Sequence, residues 1–511
     1  MFRAPPSGTV DRLFAAARHI RELEHKVISA LEQAGYSEVM VPLIERDEVF
    51  SSDSTVRFVD RHGELLGLRA DFTGPVARVV STRLGNEPVV RLSYRGEVFR
   101  DVDARSARRR QLQQAGYELV DSGDVASDAE AIGLAFKISD AIGLQNVRLS
   151  LGSAELIHAL CPNADASIRR ALDRRDRSRL PVELLPVLEL TGGVEMLARA
   201  KRDLPATARP ALDRLSRVVD TLDENAKRTV IDLAEVRPWA YYTGIVFDLF
   251  ADGSSGPVAG GGRYDSLAGR YGKSRPAVGA SFQLDAVAEI QRDITGTRAE
   301  KGLVVALPKG RILKGVLERL GALGPTASEL ESRKLIVSGG APLLGTPISF
   351  LRVKDADVPA YVEHGVADLG IVGLDVLEEK PASVLEPLDT GLGRCRLCLC
   401  GRPGTSAAEL SAKGVLRVAT KYPKVTRLEL ELRGLAAEIV PLEGSVELAV
   451  LANLADLIVD MVETGATLRA NGLVELEELM SSSARVIVGR GAWRLKQDAV
   501  RALLSALKEK T

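Results

Sequence analysis

Cysteine is scarce in this chain, its charge is balanced and its apolar runs are short. Four cysteines in 511 residues cannot build a disulfide framework, so a reducing cytoplasm is expected. A net charge of −1 provides no global field for nucleic acid or an anionic membrane, and any anion site has to be local. No stretch approaches the roughly 20 apolar residues that cross a bilayer, and the opening residues 1–8 lack the apolar core of a secretion signal. The spacing of Cys395, Cys398 and Cys400 could hold a metal, but five scattered histidines offer no evident fourth ligand. Small apolar thiols in a buried strand are the simpler reading.

What is present is ordinary globular material, 45 % hydrophobic and 27 % charged, in a chain long enough for about two to four domains. A polar stretch at 291–300 divides two halves with different patterning and is expected to be a linker. After it, apolar runs at 302–307, 334–338, 368–372, 415–420 and 457–462 alternate with helical patterns at 359–364 and elsewhere, which predicts a doubly wound α/β region. An amphipathic pattern at 497–508 closes the chain. The first half opens with a helix over 10–34, with Leu13, Ala16, Ala17, Ile20, Leu23 and Val27 on one face and Gly35 as its left-handed stop. Strands at 38–41, 89–94, 117–120 and 245–249 suit a mixed or antiparallel sheet. Residues 150–235 read as a helical insertion with no evident chemistry.

One segment carries chemistry by itself. The apolar run ending in Asp460 and Glu463 leads at once into Thr464-Gly465-Ala466-Thr467-Leu468. Backbone N–H groups of such a turn, with two threonine hydroxyls, suit a sugar 5′-phosphate. The two carboxylates suit ribose hydroxyls and a developing cationic C1′. A strand entering a helix through a capped turn would use the same letters.

Five segments in order resemble the short form of ATP phosphoribosyltransferase, the first enzyme of histidine biosynthesis. They are Ala306-Leu-Pro-Lys309-Gly-Arg311, Glu331-Ser-Arg333, residues 357–373 through Asp368, Ala419-Thr-Lys-Tyr422-Pro, and residues 444–472 beginning Gly444-Ser-Val-Glu447. The resemblance implies a two-lobed α/β domain at 301–511, similar to periplasmic binding proteins, with one lobe at about 301–395 plus 485–511 and the other at about 396–484. It implies that N1 of ATP attacks C1′ of 5-phosphoribosyl 1-pyrophosphate and that pyrophosphate leaves. Because adenine N1 is already nucleophilic, catalysis should be positioning plus charge stabilisation. Lys309, Arg311 and Arg333 would face the pyrophosphate and the ATP phosphates. Thr464, Gly465, Ala466, Thr467 and Leu468 would cradle the 5′-phosphate, Glu447, Asp460 and Glu463 would border the ribose, and Asp368 and Tyr422 would stand near the nucleotide. Mg²⁺ would be held by the substrates' phosphates, with no dedicated protein ligand. The long form of the enzyme has a further regulatory domain, and none is expected here after the closing helix.

The first half resembles class II aminoacyl-tRNA synthetases, with an antiparallel sheet and helices over about residues 1–290. Gly35-Tyr-Ser-Glu-Val-Met-Val-Pro42 is similar to motif 1, whose proline lies at a dimer interface. Tyr94-Arg-Gly-Glu-Val-Phe-Arg100 and Gln111-Leu-Gln-Gln114-Ala-Gly-Tyr-Glu118 are similar to motif 2 of histidyl-tRNA synthetase. Arg237-Pro-Trp-Ala-Tyr-Tyr242 and Gly260-Gly-Gly-Arg-Tyr264-Asp are similar to its histidine segments. The resemblance implies a histidine pocket of Asp71, Thr73, Arg100, Gln114, Glu118, Arg237, Tyr242 and Tyr264. Departures are as informative. Ala286 stands where motif 3 ends in an ATP-binding arginine, and Ala240 where the synthetase has aspartate. The basic run 105–110 reads as a solvated loop, so no nucleic-acid partner is expected. This is the pattern of the regulatory subunit that accompanies the short-form transferase, here preceding the catalyst in one chain. Partners implied are ATP, 5-phosphoribosyl 1-pyrophosphate, histidine as inhibitor and further copies of the chain. Two other readings stay open: a first half that is only an oligomerisation scaffold, and a divergent synthetase acting on tRNA.

Overall fold

A computed structural model describes residues 4–50, 54–102, 108–121, 123–236, 241–293, 302–332 and 334–508. The chain divides into two compact units, Met1–Glu300 and Lys301–Thr511.

The first unit is built on a nine-stranded sheet. In spatial order its strands are Ser37–Glu38, Val90–Phe99, Gln111–Val120, Ala277–Gln283, Ala259–Arg263, Ile245–Phe250, Arg148–Ser153, Thr229–Asp232 and Thr191–Gly192. Neighbours are antiparallel except the pairs Ser37–Glu38 with Val90–Phe99 and Arg148–Ser153 with Thr229–Asp232. Strand alternation assigns two jobs to the two faces. Ala115, Tyr117 and Leu119 point into a core shared with the helices Phe14–Gln33, Val125–Ala141 and Leu284–Asp293. Gln114, Gly116 and Glu118 point to the other face.

Several boundaries differ from expectation. The first helix is Phe14–Gln33, not 10–34: Leu13 is extended and offers no side-chain cap, so it lies outside the amphipathic stripe and is exposed. Gly35 does stop the helix, with φ +83°. Residues 150–235 are not a purely helical insertion. The strands Arg148–Ser153, Thr191–Gly192 and Thr229–Asp232 frame the helical segments Ala154–Leu160, Ala166–Arg174, Met196–Asp203 and Arg209–Asp220 and belong to the main sheet. Residues 291–293 of the expected linker are the last turn of Leu284–Asp293, and 294–300 lie outside the described residues.

The second unit has two sheets, each covered on both faces by apolar clusters, which is the doubly wound arrangement. The first lobe orders Ile336–Ser338, Ile348–Arg352, Leu303–Leu307, Leu369–Gly373, Ala484–Gly489 and Val384–Asp389, with the three central strands Ile348–Arg352, Leu303–Leu307 and Leu369–Gly373 parallel. The second orders Ala437–Pro441, Leu416–Thr420, Leu457–Val462, Cys395–Gly401 and Val474–Ser482, with the first three parallel. The cysteines lie on the strand Cys395–Gly401, and burial pushes the thiols of Cys398 and Cys400 up to about 11 and about 12, which keeps them inert at neutral pH. Among the described residues no helix is long and apolar enough to cross a membrane.

Candidate functional site

In open α/β sheets, ligands gather outside the carboxyl ends of parallel strands. Both lobes deliver residues there. In the first lobe, Leu303–Leu307 runs out into Lys309, whose backbone N–H donates to Asp355 Oδ1 at 2.8 Å, with its side chain exposed. Gly310, at φ +81°, turns the chain into the helix Arg311–Leu320. Arg311 is thus the first residue of a helix at a strand's carboxyl end, and Arg333 lies outside the described residues. In the second lobe, Leu416–Thr420 runs out into Lys421 and Tyr422, and Leu457–Val462 carries Asp460. Burial raises the Asp460 carboxyl above its ordinary range; the Met461 N–H and Lys421 oppose this, and Glu447 adds to it. Glu447, first residue of Glu447–Leu451, is therefore close to Asp460.

The loop at 464–468 follows directly. Glu463 and Thr464 are exposed, Gly465 has φ +68°, and Ala466 begins the helix Ala466–Ala470. Thr464 Oγ1 accepts the Ala466 N–H at 3.4 Å, and Arg469 donates to the Thr464 carbonyl at 2.8 Å, pinning the loop from behind. Thr467 is exposed, while Leu468 anchors the turn in the core beside Cys398 and Cys400.

A bond between the lobes establishes that these strand ends share one opening. The Tyr422 hydroxyl donates to Asp375 Oδ2 at 3.1 Å. Asp375 lies just beyond the carboxyl end of Leu369–Gly373, which pairs in parallel with Leu303–Leu307. Tyr422 lies just beyond the carboxyl end of Leu416–Thr420, which pairs in parallel with Leu457–Val462. Lys309 and Arg311 on one side, and Asp460 and the 464–468 loop on the other, therefore border the same crevice.

Asp368 is the correction. It precedes its strand, so it stands at the amino end, away from the crevice. Its Oδ2 accepts the Val304 N–H and the Lys496 ammonium, each at 2.8 Å. It ties the closing helices to the sheet and does not reach the crevice. Asp375 and Lys421 were missed, although both stand within two residues of the carboxyl end of an apolar strand, which is the signal that finds them.

The first unit holds a second, more enclosed constellation. Glu118 is buried and accepts hydrogen bonds from Thr73 at 3.0 Å, Tyr94 at 3.2 Å and Tyr264 at 2.5 Å. Burial pushes its carboxyl up to about 7, the hydroxyl donors pulling the other way. Asp71 is also raised, by burial first, against the Gly74 N–H at 3.1 Å and the charge of Arg100. The Arg100 guanidinium is lowered, again by burial first. Tyr242 packs on Tyr241 at 4.7 Å between ring centroids, and Tyr241 on Tyr264 at 5.8 Å. The floor is glycine: Gly279 lies opposite Glu118, and Gly262 opposite Gly279. Gln114 shares the face of Glu118 by strand alternation. Arg237 and Ala240 lie outside the described residues. The result is a polar, aromatic hollow with one buried and one half-buried carboxylate, Glu118 and Asp71, suited to a small ligand with a cationic nitrogen. Tyr94 was missed as a lining residue, though it sits in the quoted motif. In the basic run, Arg109 is not simply solvated: it pairs with Asp285 at 2.7 Å and with Glu289.

Comparison with known proteins follows the same division. The histidyl-tRNA synthetase family matches residues 8–287, and the ATP phosphoribosyltransferase family residues 354–509. The chain is 43 % identical over 207 residues to the ATP phosphoribosyltransferase of Thermus thermophilus, spanning 40 % of this chain and 96 % of that protein. It is 35 % identical over 346 residues to the ATP phosphoribosyltransferase regulatory subunit of Moorella thermoacetica, spanning 61 % of this chain and 88 % of that protein. A solved regulatory subunit/histidyl-tRNA synthetase from Bacillus halodurans superposes with TM-score 0.52 at 22 % identity, over 63 % of this chain and 89 % of that one, a likeness of fold alone. A histidine–tRNA ligase subunit from Alicyclobacillus acidocaldarius gives TM-score 0.51 at 27 % identity, over 58 % of this chain and 99 % of that one. The chain belongs to the ATP phosphoribosyltransferase family, with the histidyl-tRNA synthetase-like regulatory subunit and the short-form catalytic subunit fused in that order.

Proposed function

We propose a residue-level division of labour for this ATP phosphoribosyltransferase, in which the crevice of the second unit performs the transfer and the hollow of the first unit binds histidine as feedback inhibitor. The reaction joins ATP to 5-phosphoribosyl 1-pyrophosphate, giving N1-(5-phosphoribosyl)-ATP and pyrophosphate. Backbone N–H groups of Thr464 to Leu468 hold the 5′-phosphate, and Glu447, Asp460 and Glu463 border the ribose. Lys309, Arg311 and Arg333 meet the departing pyrophosphate and the ATP phosphates, where fixed positive charge counts most. Tyr422 stands where the nucleotide enters. No group of three or more His, Cys, Asp or Glu suited to a metal is found among the described residues, and we assign Mg²⁺ to the substrates' phosphates, where it neutralises charge.

The observation that carries this reading is the Tyr422–Asp375 contact, which makes both sets of strand ends border one opening. The test is the absorbance rise as product forms from the two substrates with Mg²⁺. It should be lost by roughly 10²–10³-fold in Arg311→Ala, by analogy with removing one oxyanion donor. A folded wild-type chain that forms no product would overturn the assignment.

In the first unit, histidine would place its α-ammonium or imidazole N–H against Glu118 and Asp71, and its carboxylate against Arg100 and Arg237. The chain works as a cytoplasmic homo-oligomer, at least a dimer. Exposed Met40, Leu43 and Ile44 around Pro42 support this, and sedimentation of the full chain tests it.

A further inference from the structure

The contact that joins the strand ends is one part of a larger grip. The helix Leu374–Glu379 of the first lobe reaches the second lobe with two carboxylates one turn apart. Asp375 Oδ2 receives the Tyr422 hydroxyl at 3.1 Å, while Asp375 Oδ1 receives the Ser482 hydroxyl at 2.8 Å. Ser482 in turn accepts the Asp375 N–H at 3.2 Å. Gly373 makes room for this fold-back, since a Cβ there would stand 2.2 Å from Asp375 Oδ1.

Glu379 completes the grip. The helix Pro423–Leu432 begins without a side-chain cap of its own, and its first residue is proline. Its free N–H groups are instead received by Glu379 of the other lobe: Lys424 at 3.0 Å and Val425 at 3.1 Å. A carboxylate there also complements the positive end of the helix. Behind the grip, the two chain crossings between the lobes are cross-linked. Thr390 Oγ1 donates to the Ala484 carbonyl at 2.7 Å, and Ser483 to Asp389 Oδ1 at 2.7 Å. The crossings form a joint, and the two carboxylates hold the lobes at a distance from it.

We propose that Asp375 and Glu379 are positioning residues of the transferase, which grip Tyr422 and the amino end of Pro423–Leu432 from the opposite lobe and so set the width of the crevice across which the two substrates meet. The proposal rests on the transferase site described above. Loosening the grip leaves ATP, whose phosphates meet the first lobe alone, nearly as well bound, and weakens 5-phosphoribosyl 1-pyrophosphate, whose 5′-phosphate lies on the second lobe and whose pyrophosphate lies on the first. It misplaces adenine N1 against C1′, and a displacement of about 1 Å can cost about 10²-fold in rate.

The test uses the full chain with Glu379→Ala, Asp375→Ala, Glu379→Gln and Tyr422→Phe. Steady-state kinetics and peptide-level hydrogen exchange over 421–430 are measured together. Glu379→Ala and Asp375→Ala are expected to lower kcat about 10- to 100-fold while KM for ATP moves by no more than about twofold and KM for 5-phosphoribosyl 1-pyrophosphate rises. Glu379→Gln keeps an amide oxygen able to accept one N–H and should recover part of the rate. Tyr422→Phe removes one oxygen and leaves Glu379 in place, yet should speed exchange at Lys424 and Val425, because the grip acts as a unit. The Gln and Phe variants keep the test open should an alanine variant not fold. Rates within about twofold of wild type, or losses confined to KM, would overturn the grip while wild-type turnover leaves the transferase assignment standing. Absence of wild-type turnover would remove both.

Discussion

Strand pairing sets Gly279 directly opposite Glu118, and that juxtaposition governs the proposed histidine pocket. A Cβ at 279 would lie 1.8 Å from Glu118 Oε2 and 2.3 Å from the Tyr117 carbonyl oxygen. The carbonyl is backbone and cannot swing away, so Gly279→Ala should lower stability by about 3 kcal/mol or more. Thermal unfolding of the full chain reads this. Glu118 itself predicts a pH dependence. An unfolded glutamate loses its proton near 4.5, whereas burial holds the folded carboxyl up to about 7. The folded state therefore binds the proton more tightly, and the stability this confers is complete below about 4.5 and is lost as pH rises to and through about 7. Unfolding midpoints of the first unit should fall between those values, and the dependence should flatten in Glu118→Gln. A ligand bringing a positive nitrogen should favour the ionised carboxylate and recover stability at the alkaline end. The same variant should bind histidine at least about 10-fold more weakly, because a charge-assisted hydrogen bond is lost. Calorimetry would show it.

At the scale of elements, the 464–468 loop depends on one left-handed residue. Gly465 has φ +68°, and the proposed phosphate cradle of backbone N–H groups needs that left-handed turn. A β-branched side chain there costs about 1–2 kcal/mol in backbone strain. Gly465→Val should thus raise KM for 5-phosphoribosyl 1-pyrophosphate about 5- to 30-fold, measured at saturating ATP. How much of the architecture was legible in sequence follows from similar local physics. Leu457–Val462 and Leu303–Leu307 are continuous apolar runs because both faces are covered. Gly35 marked the end of Phe14–Gln33 because only glycine takes φ +83° cheaply. Val474–Ser482 was not legible: its Val-Glu-Leu-Glu-Glu-Leu letters carry no strict alternation, and its register against Cys395–Gly401 shifts twice. Arg148–Ser153 was absorbed into a helical region because sheet membership there depends on partners about 80–100 residues away. Asp368 shows that a family segment does not locate each of its letters. Asp368 and Asp375 flank one strand, and only the direction of that strand tells which of them reaches the crevice.

At the scale of the whole molecule, control by histidine is a claim about free energy shared between two sites on one chain. Fusion holds the two units at a high effective concentration, on the order of millimolar for a short linker. Proximity alone transmits nothing. Histidine can restrain the transferase only by binding more tightly to an arrangement that binds substrates, or turns them over, less well. If the control acts on affinity, the coupling should be about 1–3 kcal/mol, a factor of roughly 5–150. Linkage then requires that saturating 5-phosphoribosyl 1-pyrophosphate weaken histidine by the same factor by which saturating histidine weakens the substrate. Paired titrations on the full chain, each ligand with and without the other, measure both factors. Equal factors above about fivefold would establish the coupling. A histidine heat that is present but indifferent to substrate would leave a binding site that does not act on affinity. No heat at all would make the first unit a scaffold. Arg100→Ala separates the histidine site from the transfer chemistry, since its guanidinium faces Asp71 in the first unit. It should abolish both the heat and the inhibition. Inhibition that survives the loss of the heat would place the inhibitory site outside the Glu118 hollow.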